Sequence, residues 1–287
     1  METIRTAIII ALALCLAGAG GLVAKAAAGE GGVSVKLTDP NKPCYLECGL
    51  ITGGITVVGY DGKEVKVEGK KRDTDEWVNW NEDEDKDREN AKQGLKRIPV
   101  SSTAFEVEED DNHVTISAQS FSRAIDMVIT VPVHTSLSLT TINGGDIKVS
   151  NVTGEIEAEN INGDIELTGI SGSVVAYVQN GDLDVEMKSV TPDKPMSFAS
   201  FNGDVDVALP ANVKATVKIS THTGDAYSDF DFEAIKRPTE VIEDNEDLVE
   251  GRYHVRIEDA FFGSINGGGP EFDFSTFNGD IYIRKGK

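Results

Sequence analysis

The sequence predicts an all-β fold, a flattened single-domain β-solenoid of parallel β-helix type with coils of about 18 residues. Three observations predict it. A glycine recurs every nine residues, at Gly145, Gly154, Gly163, Gly172 and Gly181. Two positions after each glycine stands Ile147, Ile156, Ile165, Val174 or Leu183, and two further on Val149, Ala158, Leu167, Ala176 or Val185. Apolar residues two apart after a turn glycine describe a short strand with one buried face. The third observation is that the turns alternate. Asn-Gly occupies 162–163, 180–181 and 202–203, whereas Thr-Gly and Ser-Gly occupy 153–154 and 171–172. Two unlike corners per repeat make two strands per coil. Asn-Gly suits a tight corner because both residues tolerate positive φ at low cost.

Taken in order, residues 1–28 read as a secretory signal. Arg5 precedes an apolar run from Thr6 to Val23, and Ala24-Lys25-Ala26 and Ala26-Ala27-Ala28 supply small-residue cleavage sites. An uncleaved anchor is the alternative, and Cys15 lacks the small residue that a lipoprotein signal needs directly before it. Cleavage after Ala28 leaves 29–287 as the solenoid domain, with no membrane span. Of the remaining cysteines, Cys44 and Cys48 form an even pair, which in an oxidising compartment is expected to be a disulfide.

Gly54-Ile55-Thr56-Val57 and Gly62-Lys63-Glu64-Val65-Lys66-Val67 repeat the strand grammar, joined by a turn at Tyr60-Asp61-Gly62. Further strands are expected at 114–118 and 125–131, and the repeats run unbroken from Thr140 to about Met187. Beyond that they loosen, with turns at Asn202-Gly203-Asp204, Thr223-Gly224-Asp225 and Asn278-Gly279-Asp280. Two acidic insertions interrupt the pattern, 73–97 and 229–251. The first encloses both tryptophans and has helix-compatible composition over 82–97; the second reads as a loop around Pro238.

The formal net charge is −22. Such a charge excludes nucleic acid as an expected partner, because its phosphates would be repelled, and disfavours an anionic membrane surface. Divalent cations and basic partners remain compatible with it.

Four candidate chemistries arise. In an 18-residue coil, Asp146, Asp164 and Asp182 stack at one corner, one strand spacing of about 4.8 Å apart. They read as turn-capping or solvated acids, with calcium as the alternative cofactor. Asp83, Asp85, Asp87 and Glu89 imitate the start of an EF-hand loop, but Arg88 stands where glycine is needed and Gly94 where the bidentate glutamate is, so the motif fails. His113, His134, His222 and His254 are scattered, with no metalloprotease, nucleophile-elbow or phosphate-loop motif, so no cofactor and no catalytic residue are assigned. Trp77 and Trp80 lie outside the repeat, where periodicity does not require them. They are the candidate ligand-binding pair for a cell-surface glycan or an envelope protein, against the alternative that they pack down as a lid.

The stretches Ile265-Asn266-Gly267-Gly268-Gly269-Pro270-Glu271-Phe272 and Thr276-Phe277-Asn278-Gly279-Asp280-Ile281-Tyr282-Ile283-Arg284-Lys285 resemble those of the bacterial "putative adhesin" domain-of-unknown-function family. That family is similar in style to the auto-transporter adhesin heads of the GIN type, and the resemblance covers roughly residues 50–287. It implies a β-helical exported domain with no established activity. The expected function is non-enzymatic, an adhesin-like binder or scaffold in the periplasm, at the outer surface or secreted. Two alternatives stay open: a polysaccharide-active β-helix enzyme, and a regulatory envelope protein acting through a membrane sensor.

Overall fold

The computed structural model describes residues 32–72, 105–118, 124–235, 241–243, 255–257 and 260–286. The described secondary structure is all β, and twenty strands join into one continuous hydrogen-bonded sheet wound on itself. The winding follows from the repeat. A strand of alternating side chains buries one face, a glycine corner reverses the chain, and the next strand buries its own apolar face against the first. All ten residues of the third and fifth repeat positions, from Ile147 to Val185, are buried.

The coils pair in parallel, residue above residue. Thr153 lies over Ser171, Ile147 over Ile165, and Ile165 over Leu183, each an offset of 18 as the repeat predicts. From Leu183 to Val205 the offset widens to 22, because the loop 191–195 makes the corner opposite Asn-Gly four residues longer.

The order of coils in space departs from their order in sequence at both ends. From the N-terminal side the first coil is His113–Ala118 with Ile125–Pro132, and the second is Cys44–Thr52 with Ile55–Tyr60. Thr135–Asn143 with Ile147–Ser150 makes the third. The long strand Ile165–Asn180 bends through Gly169 and Gly172, closing the fourth coil and opening the fifth. Met196–Asn202 with Val205–Leu209 is the sixth. The seventh is the last segment of the chain, Glu271–Asn278 with Ile281–Lys285, and the eighth is Ala215–Thr223 with Ala226–Ser228. An early segment and the final one are therefore each threaded between coils distant in sequence.

Antiparallel strands flank the stack. Phe105–Asp110 pairs with His113–Ala118, and Glu64–Lys71 with Ile125–Pro132, while Phe261–Ile265 covers Ala215–Thr223. The strand after the Tyr60-Asp61-Gly62 turn thus crosses to a flanking position instead of pairing with Ile55–Tyr60. Val241–Glu243 of the second acidic tract, where the sequence reads as a loop, pairs antiparallel with Val255–Ile257 just beyond it.

The expected disulfide is a correction. Cys44 and Cys48 are both free and buried. They lie on one strand whose alternate residues, Cys44, Leu46 and Cys48, point inward. Four residues of extended chain span roughly 13 Å, against about 4–7 Å between the α-carbons of a disulfide. Burial instead pushes the Cys44 thiol up to about 11, a shift opposed by its contact with the Thr135 hydroxyl and added to by the Glu109 charge. Burial, with the Glu47 charge adding, takes Cys48 to about 12. Both are packing residues with little thiolate at neutral pH.

Candidate functional site: the Asn-Gly-Asp edge

From the fourth coil to the seventh, the corner that joins the two strands is built from the same three residues, asparagine, glycine and aspartate; the third coil adds a glycine at Asn143-Gly144-Gly145-Asp146, and the eighth has Thr223-Gly224-Asp225. Stacked, these corners form an edge running along the solenoid. Glycine is required there for two reasons, seen at Gly203. Its φ is 151°, a conformation L side chains rarely adopt, and a β-carbon would stand 2.0 Å from the carbonyl oxygen of Gly181 on the neighbouring coil.

The asparagines form an amide ladder. Asn180 Nδ2 donates to Asn162 Oδ1 at 3.0 Å, Asn202 to Asn180 at 2.8 Å, and Asn278 to Asn202 at 2.7 Å. Identical amides stacked at strand spacing satisfy donor and acceptor together. The aspartates form a second ladder, through the backbone. The Asp164 amide donates to Asp146 Oδ1 at 3.2 Å, Asp182 to Asp164 at 2.9 Å, and Asp204 to Asp182 at 2.8 Å. The series continues through the threaded coil, Asp280 to Asp204 and Asp225 to Asp280, each at 2.8 Å. Each carboxylate from Asp146 to Asp280 thus accepts an amide of the coil above. The turn-capping expectation describes this arrangement, and among the described residues no group of three or more His, Cys, Asp or Glu is disposed to hold a metal ion.

A third ladder lies beneath, and sequence reasoning missed it. Thr141, Asn160, Ser200, Thr276 and Thr221 each donate to a corner glycine carbonyl of a neighbouring coil: Gly53, Gly145, Gly181, Gly203 and Gly279, at 2.8–3.1 Å. These carbonyls would otherwise be buried without partners. The legible signal is a small polar residue two places before the corner asparagine, broken only at Val178.

Outside the edge, the residues before the asparagines make an apolar rail that Gln179 interrupts. Ile142, Phe201 and Phe277 are exposed by 38–43%. Phe201 and Phe277 stack at 4.9 Å with their planes 7° apart, and His222 stacks on Phe277 at 4.5 Å and 13°. On the opposite face of the same corners, Tyr227 stacks on Tyr282 at 5.4 Å. These aromatics also escaped sequence reasoning, because they become neighbours only when the final coil is threaded between two others.

The field along the edge is negative. Partial burial raises the Asp184 carboxyl above the usual range, and the charges of Asp206, Asp182, Glu166 and Asp164 raise it further. The Tyr282 hydroxyl is raised first by its hydrogen bond to Asp280. Basic groups nearby are committed to acids: Arg284 to Asp206 at 2.7 Å, Lys148 to Glu166 at 3.1 Å, and Lys218 to Asp273 at 3.2 Å. Trp77 and Trp80, the candidate ligand-binding pair, lie outside the described residues. Among the described residues no helix is long and apolar enough to cross a membrane.

The fold and this edge define a class, an all-β solenoid carrying a repeated glycine corner. Residues 143–259 match the protein family described as Toastrack DUF4097. That span runs from the corner of the third coil through the sixth and the eighth, and stops short of the threaded seventh. No curated protein matches the chain. Among solved structures, the chain is similar to a "putative cell adhesion protein" from Clostridium sporogenes ATCC 15579, at 14% identity and a TM-score of 0.41 over 88% of this chain and 99% of the other. It is also similar to a "putative adhesin" from Bacteroides fragilis NCTC 9343, at 12% identity and a TM-score of 0.33 over 88% and 95%.

Proposed function

We propose that the chain is exported and acts in the cell envelope as an adhesin-like binder or scaffold, without catalysis, and that the Asn-Gly-Asp edge of its last three coils is the contact surface. The observation that carries this reading is the solvent-facing stack Phe201, Phe277 and His222. Large aromatics held rigid and exposed dominate the energetics of protein contacts, and contiguous exposed apolar surface marks interaction sites. The distribution of chemistry supports a binder as well. Carboxylates recur along an edge and cap amides, a repeating surface rather than an acid and base converging on one point. The signal-like residues 1–28 support export, and Trp77 with Trp80 would supply a second contact.

The test is retention of the purified chain on cell envelopes. Phe201→Ser with Phe277→Ser should abolish retention while leaving the fold's circular dichroism unchanged, and neither acidic nor neutral glycans should be turned over. Retention equal to that of the unsubstituted chain, or glycan turnover, contradicts the reading.

A further inference from the structure

We infer that the edge of the sixth to eighth coils docks a basic polypeptide segment that carries apolar side chains. The inference rests on the reading above, that this edge is a contact surface, and names its partner. Three parallel rails meet there: the aromatic rail of Phe201, Phe277 and His222, the amide ladder, and the carboxylates Asp204, Asp280 and Asp225. In each coil the aromatic ring and the acid are three residues apart, and the rungs repeat at about 4.8 Å. A ligand lying along the edge therefore meets apolar surface on one side and negative charge on the other over its whole length.

Charge decides its sign. The chain carries −22, Arg284 and Lys218 of these coils are already paired with acids, and the carboxylates of Asp204, Asp280 and Asp225 follow one another along the rail, meeting only neutral donors there: Asp204 and Asp280 each accept one amide of the next coil, and Asp280 and Asp225 accept the Tyr282 and Tyr227 hydroxyls. Anionic glycans and nucleic acid are repelled by such a surface, whereas Lys and Arg side chains are steered to it.

Ring geometry decides between polypeptide and neutral glycan. A sugar grips an aromatic residue through the broad face of the ring. At 4.9 Å and 7° the facing surfaces of Phe201 and Phe277 are closed on each other, and His222 closes the other face of Phe277. The central ring of the rail, Phe277, therefore shows solvent only its edge, which suits the side chains of Leu, Ile, Phe or Met between basic residues.

Calorimetric titration of the folded chain with four defined probes tests this: a peptide alternating lysine and leucine, an oligolysine of the same length, the serine-for-lysine form of the first, and cellohexaose. The lysine-leucine peptide should bind most tightly, with affinity falling as salt is raised. Phe201→Ser with Phe277→Ser should weaken it by tenfold or more and leave weak oligolysine binding unchanged. Asp204→Asn keeps an oxygen to accept the Asp280 amide and Asp225 accepts no amide among the described residues, so Asp204→Asn with Asp225→Asn folds whatever the phenylalanine variant does, and it should weaken both cationic peptides. Equal binding of the lysine-leucine peptide to wild type and both variants overturns the inference, as does binding of cellohexaose alone. If no probe binds while the protein is still retained on envelopes through Phe201 and Phe277, the partner chemistry is wrong and the contact surface stands; if envelope retention is also lost from the unsubstituted chain, both fall.

Discussion

Ile165 and Glu166 are neighbours in sequence and opposites in environment, one fully buried and the other paired with Lys148 at the surface. Ile165→Asp should place a charge in the core and cost several kcal/mol, whereas Glu166→Lys should cost about 0.5 kcal/mol or less. Thermal melts of the two decide, and equal shifts would mean the register is wrong. Glycines separate in the same way. Gly203→Ala meets both a forbidden φ and a carbonyl at 2.0 Å, and should cost more than about 2 kcal/mol; Gly144→Ala, at φ 65° with open space around it, should cost about 1 kcal/mol. Asp184 is a titration case. Its carboxyl is raised in the folded state, so protonation stabilises the fold, fully below the ordinary carboxylate range and not at all once pH has risen through the folded value. Asp184→Asn should therefore raise the melting temperature at neutral pH, with the advantage disappearing in acid; a constant difference across pH would assign the effect to packing.

At the scale of elements, what could be read in advance was what alternation encodes. The buried third and fifth positions, the outward Glu166 and the glycine corners all follow from a period of two and a repeat of nine. The cysteine pair shows the limit. Even number and short spacing suggest a bridge, but Cys44-Tyr45-Leu46-Glu47-Cys48 alternates as a strand, and a strand holds its first and fifth residues apart. In the folded chain neither thiol should react with an alkylating agent, and both should react on denaturation without reductant. Mass analysis of the peptide carrying them checks this, and a bridged peptide would refute the strand geometry.

The order of coils was not legible, and the reason is physical. From the fourth coil to the seventh the corners carry the same amide, glycine and acid, so each can stack on any other, and the hydrogen bonds that hold Asn202 to Asn278 are those that hold Asn162 to Asn180. The local code sets the coil and leaves its place in the stack to long-range packing. Phe198 stacking on Phe274 inside the core, at 5.2 Å, is one such contact, made by strands far apart in the chain.

For the whole molecule, the edge depends on that threading. Phe201 meets Phe277, and Phe277 meets His222, only because Glu271–Asn278 lies between Met196–Asn202 and Ala215–Thr223. Cysteine pairs at the corner test the arrangement most directly. Asn202→Cys with Asn278→Cys joins residues that are direct partners in the stack, whereas Asn180→Cys with Asn278→Cys spans two rungs, roughly 9–10 Å. The native thiols, buried and raised to about 11 and about 12, stay out of the exchange. Under mild oxidation of the folded protein, the account predicts that the 202–278 pair closes to a disulfide and the 180–278 pair does not; closure of the 180–278 pair alone would contradict it.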